Sequence, residues 1–509
     1  MPPRAWVLAT RVEGTLRPNL SLKALLAAAG LGGAELVGAR AEPEVTDIVT
    51  STSDVAPGAM FACVPGRRFD GHDFAAEALA RGALALLCER PLDLPGAMAA
   101  PQVVVPSVRR ALGPLAAALW SFPSAAMQVV GVTGTNGKTT TCALLASIFA
   151  AGGARPAVIG TLTGARTTPE APALQRQLAR CRDDGVDAVA IEVSSHALDQ
   201  YRADGTEFAA GVFTNLSQDH LDYHGTMEAY FDAKARLFTA GMVHVAVVNT
   251  GDPWGARLAE RVARLAPPAP RGGRQRLVEY NPEDAREIEV CRHAVRFTWR
   301  GRRYTLAVPA RFNVANAVAA AATAAELGYS ADALAEGLAG APPVRGRFEL
   351  VEEGQPFVAV VDFAHTPAAL CEALKAAREL SPGGRVIAVF GAGGERDQAK
   401  RPLMGKVASE LCDVVLVTSD NPRSESAEAI ASQVAQGAPG ATVELDRRKA
   451  IDAAIELARP GDVVVVAGKG HETGQDFGTH VEPFDDVEVL RAGLRRAASR
   501  ETVAGGRAQ

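Results

Sequence analysis

Several features are missing from this 509-residue chain, and each absence removes a class of function. The formal net charge is -5, so no overall positive field draws the protein to nucleic acid. Seven cysteines, Cys63, Cys88, Cys142, Cys181, Cys291, Cys371 and Cys412, are scattered with no CxxC pair and no metal-ligand spacing. That excludes a disulfide framework or a zinc ribbon and fits the reduced thiols of a cytosolic protein. No apolar run is long enough to span a bilayer. Residues 1–10 include Arg4 but lack the sustained apolar stretch and cleavage site of a secretory leader. No internal repeat and no long low-complexity linker occurs. A cytoplasmic protein is expected, with no nucleic-acid partner and no membrane insertion.

What is present is ordinary globular material: 48% hydrophobic and 22% charged residues. At roughly 100–200 residues per domain, the length predicts about three domains. Residues 1–108 mix short strands and helices around Pro57-Gly58 and Pro65-Gly66 turns. Residues 109–343 alternate apolar strands (128–132, 157–160, 188–193, 211–214, 245–248) with helical stretches. That pattern predicts a parallel sheet covered on both faces. Residues 344–509 repeat it with strands at 357–361, 386–390, 414–418 and 463–467, a second α/β unit of Rossmann-like type. The Ala-rich stretch 316–327 reads as a tightly packed helix.

The strongest motif is Gly131-Val132-Thr133-Gly134-Thr135-Asn136-Gly137-Lys138-Thr139-Thr140, between a strand and a helix. Backbone N–H groups at such a turn bind phosphate. Lys138 would reach the β- and γ-phosphates, and the Thr139 hydroxyl would ligate Mg²⁺. The spacing departs from GxxxxGK[ST], because Val132 stands where the first glycine belongs. The loop by itself says only nucleoside triphosphate. Glu192 ends an apolar strand beside it, a place suited to Mg²⁺. His220 lies in Asp219-His220-Leu221-Asp222-Tyr223-His224; no cysteine accompanies it, so magnesium is expected before zinc. Lys234, in a helix over 230–238, reads by itself as a surface lysine.

Taken in order, Gly-Thr-Asn-Gly-Lys-Thr-Thr, Glu192-Val-Ser-Ser-His196, Asn215-Leu-Ser-Gln-Asp-His-Leu-Asp-Tyr-His-Gly225, Arg311-Phe-Asn-Val-Ala-Asn316, Arg345-Gly-Arg-Phe-Glu349 and Val361-Asp-Phe-Ala-His-Thr-Pro367 resemble the Mur ligase family over nearly the whole chain. The resemblance implies an uridine-nucleotide domain (1–108), an ATP domain (109–343) and an amino-acid domain (344–509). It implies an ATP-dependent ligase with Mg²⁺ as cofactor, acting through an acyl phosphate. Lys138, Glu192, His220, Lys234, Arg347 and Asp362 would be catalytic. Gly134, Thr135, Asn136, Gly137, Lys138, Thr139 and Thr140 would hold ATP, with Asn313 and Asn316 at its adenine and Arg347 and Asp362 from the third segment. Thr139, Glu192 and His220 would serve the metal. Lys234 looks like the lysine this family carbamylates.

Thr418-Ser419-Asp420-Asn421-Pro422-Arg423 resembles the motif of the member that adds meso-diaminopimelate to UDP-N-acetylmuramoyl-L-alanyl-D-glutamate. The residue chemistry agrees. Arg396 and Arg423 can grip the second carboxylate with forked N–H donors. Asp420, Asn421 and Glu472, beside Gly468, can accept from the ammonium. By the same resemblance, the nucleotide-linked peptide would meet Thr167, Thr168, Ser194, Gln200, Arg202 and Lys234. Thr52, Ser53 and His72 would serve it from the first domain, although Ser51-Thr52-Ser53-Asp54 departs from the usual Asp-Ser-Arg. The alternatives are a lysine-adding ligase, a folylpolyglutamate-synthase-like ligase and a nucleotide-gated switch that makes no bond. A monomer is expected, and the third domain is expected to swing in to bring Arg347 and Asp362 to ATP.

Overall fold

The computed structural model describes residues 19–38, 42–66, 69–94 and 100–505, with side chains up to 499. The expected absence of a leader at residues 1–10 therefore lies outside the described residues.

Three α/β layers follow one another along the chain. The first sheet uses Glu35–Val37 (β1), Asp47–Val49 (β2), Ala59–Ala62 (β3), Ala85–Cys88 (β4) and Gln102–Val104 (β5). Their order is β1-β5-β4-β3-β2, parallel except for β1. β3 and β4 are buried at every residue, as expected of strands covered on both faces.

The central sheet is wholly parallel: Gln128–Thr133 (β6), Pro156–Ile159 (β7), Ala188–Glu192 (β8), Phe208–Phe213 (β9), Val243–Asn249 (β10) and Arg276–Tyr280 (β11), in the order β11-β10-β9-β6-β8-β7. Side chains alternate along each strand. Val130 and Val132 face a core shared with the helices Lys138–Ala151, Asn313–Glu326 and Ala331–Ala339. Val129, Val189 and Ile191 face the opposite core, with the helices Ala171–Asp183, Met227–Thr239 and Pro253–Leu265. Alanine dominates the buried side of Asn313–Glu326, which lets that helix lie close against Lys138–Ala151.

A three-stranded antiparallel sheet, Arg286–Cys291 (β12), Ala294–Trp299 (β13) and Arg302–Leu306 (β14), covers one edge of that core. It is not among the strands expected from the sequence. Val295, Phe297, Trp299, Tyr304 and Leu306 point inward, and arginines occupy the outer face. The alternation and the Arg300-Gly301 turn, both at positive φ, were the available signals.

The third sheet runs Glu349–Leu350 (β15), Val358–Asp362 (β16), Val386–Phe390 (β17), Val414–Val417 (β18), Thr442–Val443 (β19) and Val463–Ala467 (β20). The order is β15-β16-β20-β17-β18-β19, with β15 alone antiparallel. The loops leaving β16, β20, β17 and β18 converge at its carboxyl edge. In such sheets this edge, where strand order reverses, is where ligands bind.

Candidate active site

β6 delivers the phosphate loop to the helix Lys138–Ala151. Gly134 has φ +149° and Gly137 φ +87°, conformations that L side chains rarely adopt. A Cβ at Gly134 would sit 1.9 Å from Thr214 Oγ1, and one at Gly137 2.2 Å from Asn316 Oδ1. Asn215 Oδ1 accepts from the Asn136 N–H at 2.9 Å, and the Thr135 hydroxyl lies 3.2 Å from Tyr230 Oη. Thr140 is buried in the first helical turn. Lys138 Nζ turns back onto the loop, donating to Gly134 O at 2.9 Å and Thr135 O at 2.8 Å. Burial pushes its pKa down, partly opposed by Glu192. An arriving phosphate would have to draw this ammonium away from those carbonyls.

Glu192, 1% exposed at the end of β8, is the hinge of the site. Its Oε2 accepts from Thr139 Oγ1 at 2.8 Å, and its Oε1 from the Thr161 N–H at 2.8 Å. Arg347 Nη2, from the third segment, donates to the same Thr139 hydroxyl at 3.0 Å. In this structure Arg347 already reaches the first turn of the helix that follows the phosphate loop. Asp362, expected at the ATP site, is tied to backbone in this structure. Both of its oxygens accept backbone N–H groups, from Phe348 at 2.7 Å and Ala364 at 2.8 Å. It holds the chain that carries Arg347. Burial raises its pKa, opposed by the Arg347 charge.

Lys234 is not a surface lysine. It is 1% exposed, donates to Gly134 O at 2.7 Å, and lies 4.5 Å from the centre of the Tyr230 ring. Burial, then the Lys138 charge, pushes its pKa well down, which favours the neutral amine. His220 sits at φ +54°, with Nε2 3.3 Å from Asp219 Oδ2. His196 stands edge-on to His220, ring centres 4.8 Å apart. Burial holds His220 down to about 3 and His196 down to about 4, so both are neutral near pH 7. Burial opposes charge on Asp219, but the His365 hydrogen bond and neighbouring cations keep its carboxylate below the usual range.

Asn313 and Asn316 do share a helix face, but they bond to each other. Asn316 Nδ2 donates to Asn313 Oδ1 at 2.9 Å, and Asn313 Nδ2 donates to Pro309 O at 2.7 Å. Asn316 Oδ1 lies 3.5 Å from Thr141 Oγ1, so the pair braces the loop from behind.

The peptide-side residues form one chain of contacts. Thr168 Oγ1 donates to Glu192 O at 2.8 Å and accepts from Ser194 N at 3.0 Å. Arg202 donates to Thr168 O at 3.3 Å and Gln200 Oε1 at 2.6 Å, and pairs with Glu170 at 3.2 Å. Thr167 Oγ1 lies 3.1 Å from Thr161 Oγ1. Thr52 and Ser53 lie in a short 3₁₀ turn at the surface, where Ser53 Oγ donates to Asp54 at 3.1 Å. His72, expected to serve the uridine substrate, is 4% exposed in this structure, with Nε2 accepting from Glu89 N at 2.9 Å and Nδ1 2.5 Å from Asp70. Both ring nitrogens are taken, and its role is to hold the 70–90 loops together.

On the third sheet, Arg396 is exposed and has no hydrogen-bonding partner among the described residues. Arg423, at φ +53°, donates to Gly394 O and lies 3.6 Å from Asp476. Asp420 Oδ2 lies against Gly468, at 2.5 Å from where a Cβ would stand. Asn421 was expected to accept from an ammonium, but its Oδ1 already accepts from Lys469 Nζ at 2.9 Å and Asp476 N at 2.9 Å. Its Nδ2 donates to Glu472 Oε2 at 2.7 Å, and Lys469 donates to the same oxygen at 3.0 Å. Glu472 Oε1 is left to receive a cation. Lys469, which the sequence reading passed over, sets this polarity. A cavity of about 520 Å³, lined by Thr161, Leu162, Arg345, His471, Glu472 and Thr473, connects the Glu192 side to the Glu472 side.

Among the described residues, no group of three or more His, Cys, Asp or Glu side chains stands ready to hold a metal ion. Mg²⁺ keeps waters and binds through one or two protein oxygens plus substrate phosphates. The Thr139 hydroxyl and Glu192 carboxylate are oxygens of that kind.

A phosphate loop on one parallel sheet, reached by an arginine from a second α/β unit with its own strand-end pocket, defines a nucleotide-dependent group-transfer protein. Three family patterns match: the Mur ligase family catalytic domain over residues 44–120, the Mur ligase middle domain over 132–324 and the Mur ligase glutamate ligase domain over 346–470. The chain belongs to the Mur ligase family. It is 42% identical over 484 residues to the UDP-N-acetylmuramoyl-L-alanyl-D-glutamate–2,6-diaminopimelate ligase of Geobacillus kaustophilus, covering 89% of this chain and 95% of that one. The ligase of the same name from Gloeobacter violaceus is 41% identical over 512 residues, covering 95% and 100%. A solved structure of a ligase with that name superposes with a TM-score of 0.64 at 30% identity, over 94% of this chain and 99% of that one.

Proposed function

We propose that the protein joins meso-diaminopimelate to UDP-N-acetylmuramoyl-L-alanyl-D-glutamate with hydrolysis of ATP, a step of peptidoglycan precursor synthesis. The observation that carries this reading is the Arg347–Thr139 hydrogen bond, which ties the amino-acid unit to the phosphate loop. The names of the relatives point the same way. Residues 1–108 would take the uridine nucleotide, 109–343 ATP and 344–509 the amino acid.

The substrate carboxylate attacks the γ-phosphorus of ATP, ADP leaves, and an acyl phosphate forms. The amine then attacks the acyl carbon, phosphate departs, and the amine proton passes to solvent. A carboxylate facing a triphosphate is repelled by it. Lys138 and Arg347 offset that repulsion, and holding both reactants in one cleft supplies much of the remaining acceleration. Thr139, Glu192 and His220 would hold Mg²⁺, which when bound neutralises phosphate charge. Lys234, whose burial favours the neutral amine, is suited to add CO₂, release a proton to solvent and become a carbamate anion. Arg396 and Arg423 favour an amino acid with a second carboxylate; lysine would leave Arg396 unpaired. Dependence on ATP and a nucleotide-linked substrate fits the cytoplasm, and among the described residues no helix is long and apolar enough to cross a membrane.

Phosphate release and product formation, measured with ATP, Mg²⁺ and the nucleotide-linked dipeptide, test the reading. Turnover with meso-diaminopimelate alone is expected. Turnover with L-lysine alone would keep the ligase and refute the selectivity. No turnover with either would leave the nucleotide-switch alternative.

A further inference from the structure

The two largest fully buried side chains among the described residues are both arginines, Arg401 and Arg447. Neither side chain has any exposure, so neither can touch a substrate. Arg447 opens the helix Arg447–Leu457. Its Nε and Nη2 donate to the two oxygens of Asp486 at 2.7 Å each. Its remaining bonds run to Ser419 O at 3.4 Å and Ala467 O at 2.9 Å. Those carbonyls immediately precede Asp420 and Gly468. Arg401 repeats the arrangement one loop over. It donates to both oxygens of Glu425 at 2.9 Å and to Gly393 O at 3.1 Å. Gly393 lies on the loop of Arg396, and Glu425 follows Arg423.

Each guanidinium therefore grips a carboxylate and binding-loop backbone at once: two carbonyls for Arg447, and one for Arg401, whose Nη1 also donates to Gln433 Oε1 at 2.7 Å. Stability alone does not explain this. A buried ion pair can often be replaced by apolar residues of similar size without loss of stability. Apolar residues cannot, however, supply the donors that fix the carbonyls.

We propose that Arg401 and Arg447 are positioning residues for the amino-acid site. They set the spacing between the Arg396 loop, the Asp420-to-Arg423 loop and the Gly468-to-Glu472 loop, and so the discrimination between amino acids with and without a second carboxylate. The inference rests on the function proposed above. A misplacement of about 1 Å at such a site can lower turnover by about 10²-fold.

The test is the full-length double variant Arg447→Met with Asp486→Leu, which leaves no lone buried charge, compared with Arg447→Lys and Arg401→Lys. Folding is followed by the thermal midpoint. Steady-state KM is measured for meso-diaminopimelate, ATP and the nucleotide-linked dipeptide, with the kcat/KM ratio of diaminopimelate to lysine. The expected result for the folded double variant is a rise of about 10-fold or more in KM for diaminopimelate, ATP KM within about twofold, and a reduced ratio. Arg447→Lys, which keeps the charge on a single ammonium but loses the fork, should fall between wild type and double variant. Wild-type KM values and ratio in the folded double variant overturn the proposal, as does an equal rise in all three KM values. If the double variant does not fold, the two lysine variants are judged by the same criteria. Failure of the functional reading is separately visible, because wild-type protein would then not turn over diaminopimelate; the KM comparison would be run with the amino acid it does use.

Discussion

Replacing Glu192 with glutamine changes almost nothing in size and removes one negative charge. The wild-type carboxylate accepts from the Thr139 hydroxyl and the Thr161 N–H, both at 2.8 Å. A glutamine has one acceptor oxygen. Whichever way the amide turns, one of those donors meets an NH₂ group instead. If the NH₂ faces Thr139, that hydroxyl, already an acceptor for Arg347, must turn away. One charge-assisted hydrogen bond is lost, about 1.5–3 kcal/mol of stability. The charge balance shifts too, because Glu192 favours the charged forms of both Lys138 and Arg347, alongside Asp219 for the first and Asp362 for the second. Removing one such preorganised group from a transition state typically lowers kcat by about 10²–10³. The assay is phosphate release at saturating substrates, with urea unfolding as the fold control. A kcat within about threefold of wild type would refute the assignment of Glu192 to the reaction centre.

Four further outcomes are expected. Arg396→Ala, at an exposed residue with no partner, should leave unfolding unchanged and raise KM for diaminopimelate by about 10–100-fold, the worth of one charged hydrogen bond; an unchanged KM removes Arg396 from the site. Lys234 should give a carbamate signal with isotope-labelled bicarbonate, and Lys234→Arg should lose both the signal and most activity; a fully active wild type without the signal sinks that role. Gly337→Ala would put a Cβ 2.4 Å from Ile148 Cα, forcing two helices apart at about 1–3 kcal/mol, readable as a lower urea midpoint. His196, His220 and His471 are held down by burial to about 4, about 3 and about 4. Below about pH 6.5 the unfolded chain therefore binds more protons than the folded one. Stability should be full above that pH and fall as the pH drops toward about 4, with His196→Asn showing a shallower slope; a flat urea midpoint over that range would contradict the burial argument.

The inner strands of the two larger sheets were legible because a strand covered on two faces is a continuous apolar run, as in Val386–Phe390 and Val463–Ala467, whereas the edge strands Arg276–Tyr280, Glu349–Leu350 and Thr442–Val443 were not expected. The sheet of β12 to β14 was not, because exposed arginines and glutamates interrupt its strands and its inward face alternates too briefly. Local chemistry likewise marked the phosphate loop, Glu192 and the strand-end loops, since glycine at positive φ and an acid after an apolar strand are consequences of neighbours in sequence. The sequence alone could not say that Lys234 is buried beside Gly134, 100 residues away. Nor could it say that His72 and Asn421 have their acceptors occupied, or that both Asp362 oxygens accept backbone N–H groups. Those outcomes depend on which hydrogen-bonding groups the fold brings within about 3 Å, and a residue type fixes only what a side chain can donate or accept. The residue types and their order determined the family, the sheets and the candidates. Packing alone decided which candidates keep a free donor or acceptor for a substrate, because every buried polar group must first find a partner.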